Sequence, residues 1–313
     1  MTFTHDAQHA PFRARDTHGV ALSVIAPCFN EARNVAELAA RTLATFDRAG
    51  IDGELVLIDD GSADETWVEI ERAALVDPRV RGFRHAVNRG IEAGWRTGMS
   101  NASGRLLCLI DSDLQNRPED MASLYARHRA GDCDLVQGVR QSVNPPWGRL
   151  LMTRGLNTLL NTLFGMNARD NKSGFLLGPR HAFEVMLRHR FAYQYFQAFI
   201  GVAARARGLV VAEIDTEFAP RARGRSFLSA MPLRAITRLL WESIKFRVEL
   251  WLPSERITGA SANVCADHDG SGARPPYGSQ VSGFTSNSSR GAVASTPHSP
   301  GATPVVAAGG STC

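Results

Sequence analysis

Two carboxylates two residues apart, Asp111 and Asp113, end the apolar run LLCLI at 106–110 and are followed by Leu114, Gln115 and Pro118. A buried strand has this pattern when its carboxyl end opens into a site for a metal ion and a phosphate: the run is buried and the acids stay wet. Two carboxylates about 4 Å apart repel by roughly 1 kcal/mol in water and about 4 kcal/mol at protein-surface dielectric, so a compensating charge is expected. A divalent cation shared with a diphosphate supplies it. Two solvated acids on an exposed loop have the same spacing, so the neighbouring residues must decide.

The elements that would position the pair repeat along the chain. Apolar runs at 22–26 and 55–58, a weaker one at 80–86, and runs at 106–110 and 134–139 read as strands. Between them Val35, Leu38, Ala39, Leu43 and Phe46 fall on one helical face, and helices are expected at 92–102 and 118–129. Ser62 and Glu65 have the spacing of a capping box for a helix carrying Trp67, Ile70 and Ala74. This βαβ repetition predicts an α/β fold with a mostly parallel central sheet flanked by helices. Ligands of such sheets sit outside the carboxyl ends of the strands. Asn30 and Glu31, Asp59 and Asp60, and Asp111 and Asp113 each follow a strand, so three polar clusters converge on one rim.

Beyond Gln141 the pattern changes. A loop at 145–148 precedes a helix at 150–164, and 170–180 reads as a polar loop around Ser173, Gly174 and Phe175. A helix at 233–251 places Leu233, Ile236, Leu240, Ile244, Val248 and Trp251 on one side, with Arg234, Arg238, Glu242, Lys245 and Glu249 on the other. After Pro253 the chain is rich in Gly, Ser, Ala, Thr and Pro. The expected organisation is a flexible segment 1–20, a catalytic domain 21–232, an amphipathic helix 233–252 and a disordered tail 253–313.

The 313 residues, 44% of them hydrophobic, suffice for a sizeable core. A net charge of +4 and a pI near 9.0 suit anionic substrates or a membrane surface. The basic residues are interspersed and no aromatic RNA-binding motif accompanies them, so nucleic acid is not an expected partner. Five scattered cysteines without C-x-x-C read as reduced residues rather than zinc ligands. The polar N-terminus is not a signal peptide, and no stretch of about 18 apolar residues spans a membrane, so a cytoplasmic location is expected.

The first strand–helix junction, PCFNE at 27–31, is neither G-x-G-x-x-G nor a P-loop, and no G-x-S-x-G elbow occurs. Taken together, PCFNE, DDGS at 59–62 with Asp64 and Thr66, Asn88-Arg89-Gly90 with Gly98 and Gly104, and DSDLQ at 111–115 resemble the family 2 glycosyltransferases. The resemblance runs over about 22–227 and is strongest to the polyprenyl-phosphate (dolichol-phosphate mannose synthase-like) branch. It implies a GT-A fold, a nucleoside-diphosphate sugar as donor, Mg²⁺ or Mn²⁺, and inversion at the anomeric carbon. It also implies that Pro27, Phe29, Asn30, Glu31, Asp59, Asp60, Asn88 and Asp111 line the nucleotide-sugar pocket. Asp60 would meet base or ribose, and Asp111, Asp113 and Gln115 the cation. Phe29 replaces a commoner Tyr, which keeps stacking and loses a phenol hydrogen bond. Read locally, Asn30 is equally a helix cap, Asp59 a turn stabiliser, and the glycines packing residues.

Many family members that glycosylate hydroxyls carry a Glu-Asp pair after the Gly-Phe element as base; the stretch from Gly174 to Gln197 has none. A phosphate acceptor is already anionic, whereas a hydroxyl profits from general-base help of roughly 10²–10⁴-fold. Phosphate instead calls for cations, and arginine offers a planar fork. Arg140, Arg149 with Thr153, and Arg221 with Ser226 stand where the polyprenyl-phosphate branch contacts its acceptor phosphate, with Arg223 and Arg225 nearby. Asp113, Arg140, Arg149 and Arg221 are therefore the expected catalytic set. The helix at 233–251 can lie in a membrane interface and bring the site to a lipid at the inner face of the plasma membrane, although an ordinary packed helix has the same stripe. A homo-oligomer is compatible with this reading. Two rivals stay open: a transferase using a hydroxyl acceptor, with Asp170 or Glu184 as base, and a nucleotide-sugar binder without turnover. Lys172 departs from the family's neutral run.

Overall fold

The computed structural model describes residues 7–9, 19–142, 147–219 and 233–252. All belong to the unit Met1–Glu255; the unit Arg256–Cys313, with the expected tail, lies outside the described residues. In chain order the elements are β1 (Ala7–His9), β2 (Leu22–Cys28), α1 (Ala32–Ala49), β3 (Gly53–Asp59), α2 (Thr66–Val76), β4 (Val80–His85), α3 (Ile91–Asn101) and β5 (Leu106–Leu109). A 3₁₀ turn, Pro118–Asp120, leads into α4 (Met121–Arg129), followed by β6 (Leu135–Ser142), α5 (Trp147–Phe164), β7 (Leu176–Pro179) and α6 (Arg180–Met186). A second 3₁₀ turn, Phe196–Phe199, runs into α7 (Ile200–Ala206), then β8 (Val211–Phe218) and α8 (Leu233–Glu249). The sheet order is β1-β4-β3-β2-β5-β7-β6-β8.

The strand runs are apolar on both faces because helices cover both. Leu22, Val24, Ala26 and Cys28 of β2, with Leu55 and Leu57 of β3, pack against Val35, Leu38 and Phe46 of α1 and Trp67 of α2. Ile25, Val56 and Ile58 turn the other way, toward Trp95 and Met99 of α3 and the layer built by α6, α7 and α8. Such double burial is the signature of a parallel sheet, and β4, β3, β2 and β5 are indeed parallel neighbours. Parallel register from Leu22↔Gly53 to Cys28↔Asp59, and Ile25↔Leu109 on the other side, brings the ends of β2, β3 and β5 to one rim. Beyond β5 the sheet becomes mixed: β7 is antiparallel to both β5 and β6, and β6 is parallel to β8.

Small residues let α3 lie close on β2. A Cβ on Gly94 would sit 2.8 Å from Pro27 Cβ, and one on Gly98 would collide with Ile25 Cγ2. Gly98 is therefore a packing residue.

Three sequence expectations change, and one strand lies outside them. The proposed capping box is absent: Asp64 Oδ1 accepts the Thr66 N–H at 3.0 Å, while the Ser62 hydroxyl accepts the Asn30 N–H at 2.9 Å. Residues 176–179, read as loop, form a buried strand, because Leu176 and Leu177 fill the two opposite core layers. The edge strand β8 begins within the short apolar run LVVA at 209–212 and carries Glu213, Asp215 and Glu217, so most of it lacks a strand's apolar run. Finally, α8 packs with Leu239, Glu242, Ser243, Phe246 and Glu249 buried, and leaves Trp241, Ile244, Val248 and Trp251 exposed. The two glutamates belong inside because they accept hydrogen bonds from loop backbone: Glu242 from the N–H groups of Gln194 and Tyr195, and Glu249 from that of Arg190 and from the Tyr193 hydroxyl. Burial followed by the Glu249 contact pushes the Tyr193 phenol up.

Candidate active site

The first rim loop is laced to the second. Besides the Asn30–Ser62 bond, Asn30 Oδ1 accepts the Ala63 N–H at 2.9 Å, and the Thr66 hydroxyl accepts the Glu31 N–H at 2.9 Å. Asn30 has φ +56, a left-handed conformation that asparagine tolerates better than most residues, and it does not cap α1. Glu31 is held by Asn34 of the first helical turn. Phe29 projects outward, 47% exposed, beside half-buried Pro27.

Asp59 and Asp60 divide their work. Asp59 is fully buried, accepts the Ser62 N–H at 2.9 Å and pairs with Arg84 at 3.0 Å. It builds the turn, as one of the two readings of its sequence context holds. Asp60 meets the His85 ring at 2.7 Å and accepts the N–H groups of Arg89 and Gly90 at 2.9 and 2.8 Å. Asn88 stands exposed on the loop these bonds hold.

The acid pair follows β5 directly. Ser112, between the acids, donates to the Pro27 carbonyl at 2.9 Å, which fixes the motif against the end of β2. Leu114 takes φ +61, a costly conformation for a branched apolar residue, and it turns the chain so that the Gln115 N–H reaches Asp113 Oδ1 at 3.0 Å. Asp111 is approached by Gln197 Nε2 at 3.3 Å and Asn116 Nδ2 at 3.4 Å. The side-chain oxygen of Asn116, in a residue only 1% exposed, has no hydrogen-bond partner. Among the described residues no three or more His, Cys, Asp and Glu side chains are grouped so that they alone could hold a metal ion. The donors here are two carboxylates and amide oxygens. This all-oxygen set fits a hard cation such as Mg²⁺ or Mn²⁺ that draws its other ligands from diphosphate and water.

Arg140, at the end of β6, donates from Nε and Nη2 to Asp170 at 2.6 and 2.8 Å and stacks 5.2 Å from the Phe218 ring centroid. Burial alone would lower the guanidinium; the Asp170 hydrogen bonds and the charges of Asp170, Asp111 and Asp113 raise it. Burial likewise opposes ionisation of Asp170, but Arg140 outweighs it and holds the carboxyl below the usual range. The Lys172 N–H also donates to Asp170, at 3.1 Å. Asp170 is thus a poor base. The alternative base, Glu184, is exposed on α6, which begins where Pro179 pairs with Leu106, at the amino end of β5. Arg149 and Thr153 lie on α5, with side chains outside the described residues, and Arg221 and Ser226 lie outside them altogether. Sequence reasoning passed over Gln197, which only the fold brings to the rim, and over Asn116, which adjoins the DSDLQ motif, and His85, which ends β4, whose partners only the fold supplies.

Fold and site define a class: a GT-A α/β fold with an acid pair at the carboxyl end of a central strand. The model of the family "Glycosyl transferase family 2" matches residues 23–191, and the chain belongs to that family. It is 32% identical over 215 residues to the undecaprenyl-phosphate 4-deoxy-4-formamido-L-arabinose transferase of Enterobacter sp. (strain 638), covering 68% of this chain and 64% of that protein. The protein of the same name from Shewanella sediminis (strain HAW-EB3) is 33% identical over 214 residues, with 68% and 63% covered. The match thus spans under two thirds of these relatives' length. Among solved structures, glucosyl-3-phosphoglycerate synthase from Mycobacterium tuberculosis, in complex with Mn²⁺, UDP and glucosyl-3-phosphoglycerate, superposes with a TM-score of 0.54 at 21% identity, over 72% of this chain and 81% of that one. The same synthase with Mg²⁺ and UDP gives 0.53 at 19% identity, over 72% and 80%.

Proposed function

We propose that the chain is an inverting glycosyltransferase moving a hexose from a nucleoside-diphosphate sugar to a polyprenyl phosphate. The observation that carries this reading is Arg140, locked by Asp170 and facing the charges of Asp111 and Asp113. It supports a cation facing the acid pair, and it engages Asp170, one of the two carboxylates the sequence offered as base for a hydroxyl. The names of the relatives from Enterobacter and Shewanella point to the same acceptor class.

In this reading Asp111 and Asp113, with the amide of Gln115, hold Mg²⁺ or Mn²⁺, as the Mn²⁺ and Mg²⁺ complexes of the mycobacterial synthase support. A cation bound there supplies neutralisation of the diphosphate leaving group. Pro27, Phe29, Asn30, Glu31 and Asn88 bound the nucleotide, with the exposed Phe29 ring available to stack on the base. Arg140, with Arg149, Thr153, Arg221 and Ser226 as further contacts, orients the acceptor phosphate. One of its oxygens attacks the anomeric carbon from the face opposite the diphosphate, the new C–O bond forms as the old one breaks, and no proton needs removal.

The acceptor's lipid calls for a membrane surface, at the inner face of the plasma membrane. Among the described residues no helix is long and apolar enough to cross a membrane. What supports peripheral contact is the outward face of α8 and the turn just after it, where Trp241 and Trp251 are 67% and 77% exposed beside Ile244 and Val248, with Arg238 and Arg247 nearby.

The test is a panel of nucleoside-diphosphate sugars with Mg²⁺ or Mn²⁺ and a short polyprenyl phosphate, reading nucleotide release and lipid product together. Release that requires the lipid phosphate supports the reading. Nucleotide binding without release from any donor would instead make the chain a binding protein.

A further inference from the structure

His85 is 1% exposed and has both ring nitrogens engaged, Nδ1 with Asp60 Oδ1 at 2.7 Å and Nε2 with the Thr97 hydroxyl at 2.8 Å. A carboxylate can only accept, so Nδ1 is the donor. Asp60 also accepts the N–H groups of Arg89 and Gly90, one on each oxygen. Three of the roughly four lone-pair positions of this carboxylate are therefore taken by the protein itself. Such a group is well placed to hold a loop, and its Oδ2, which accepts only the Gly90 N–H, keeps a position open for a further donor.

The loop needs holding. Ala86, Val87, Asn88 and Arg89 are all exposed, so little apolar burial anchors it. It lies directly on the turn after β3: a Cβ on Gly61, at φ +72, would come within 2.5 Å of the Val87 carbonyl carbon and 2.6 Å of the Asn88 nitrogen. The same turn bonds Asn30 through Ser62 and Ala63. At its far end Gly90, at φ +87, opens α3, whose Gly94 packs on Pro27. The loop thus rests on the turn that bonds Asn30 and leads into the helix that packs on Pro27.

We propose that His85 is a positioning residue of the donor pocket: braced by Thr97, it fixes the Asp60 carboxylate, which clamps the backbone of Arg89 and Gly90 and so sets the wall carrying Asn88. The inference rests on the nucleotide-sugar reading for its function, though not for its geometry.

Amide hydrogen exchange at Arg89 and Gly90, with UDP and GDP affinity measured in Mn²⁺, tests it on the intact chain. His85→Ala is expected to speed exchange at these two amides about tenfold and weaken nucleotide binding by a similar factor, the scale on which outer-shell partners act. Amides of β2 and β5 should keep their rates. His85→Asn keeps a donor toward Asp60 and should stay within about threefold of wild type on both readouts. Should His85→Ala not fold, Thr97→Val, which leaves the ring in place, is expected to raise exchange at the same two amides alone, by about threefold. Unchanged exchange at Arg89 and Gly90 in His85→Ala, or in Thr97→Val where it stands in for that variant, or a rise spread evenly over the sheet, overturns the clamp. A wild-type protein that binds neither nucleotide, with the two amides still freed in His85→Ala, would leave the clamp standing and remove the donor reading instead.

Discussion

Arg140 grips Asp170 through two parallel hydrogen bonds of 2.6 and 2.8 Å, and the same guanidinium is held charged in part by Asp111 and Asp113 across the rim. One arginine therefore joins the strand that follows the acid pair to the loop before β7. That link makes the electrostatics of this corner a single unit.

Asp170→Asn should lower stability at neutral pH by about 2 kcal/mol, the scale of a hydrogen bond to a charged group. The folded carboxyl titrates below the unfolded value near 3.9, so its contribution is fully present above that value and is lost as pH falls through the lowered one. Urea midpoints of wild type and variant should therefore differ by a constant amount from about pH 7 to 5 and converge below about pH 4. A gap that does not shrink at all as the pH is lowered from 5 through the acid range contradicts the ion pair's role.

Asp113→Ala should leave the fold in place and cut metal-dependent transfer by roughly 10²-fold or more, as loss of one preorganised electrostatic partner does elsewhere. Circular dichroism with a nucleotide-release assay at varied Mn²⁺ checks both halves. Wild-type turnover in the variant would take Asp113 out of the site.

Gly98→Ala sets a helix-propensity gain of about 1 kcal/mol against overpacking of about 1–3 kcal/mol where the new methyl meets Ile25. Net destabilisation of about 1 kcal/mol is expected, which lowers the melting temperature by about 2–4 °C. A higher melting temperature would show that α3 can slide on β2 at little cost.

The outward residues of α8 should govern vesicle binding. Ile244→Glu with Trp251→Glu is expected to abolish flotation with anionic liposomes while leaving the melting temperature within about 1 °C, since neither side chain is buried. Flotation unchanged by the pair would move the membrane contact elsewhere.

Much of this architecture is legible in the chain. The runs forming β2, β3 and β5 are apolar on both faces, so strand type, parallel pairing and the convergence of Asn30, Asp59 and Asp111 follow from pattern alone. What escapes is whatever depends on a distant partner. Glu242 and Glu249 look like solvent positions on α8 until the loop at 190–195 supplies the N–H groups that draw them inward. Ser62 has a capping box's spacing, but the Asn30 N–H reaches its hydroxyl first. β7 is four residues long and ends in proline, so no periodicity marks it. At the site, the motif residues were legible as a set, whereas the commitment of Asp60 to Arg89 and Gly90, and of Asp170 to Arg140, required the fold.

The most direct measurement of the central claim is the linkage in the lipid product. Product made from polyprenyl phosphate and the accepted donor should show, by ³¹P and ¹H NMR, a phosphodiester phosphorus coupled to the sugar's anomeric proton, with the anomeric configuration inverted from the donor. Sugar joined to a hydroxyl, with no such coupling, or product of retained configuration, would contradict a phosphate nucleophile acting by direct displacement.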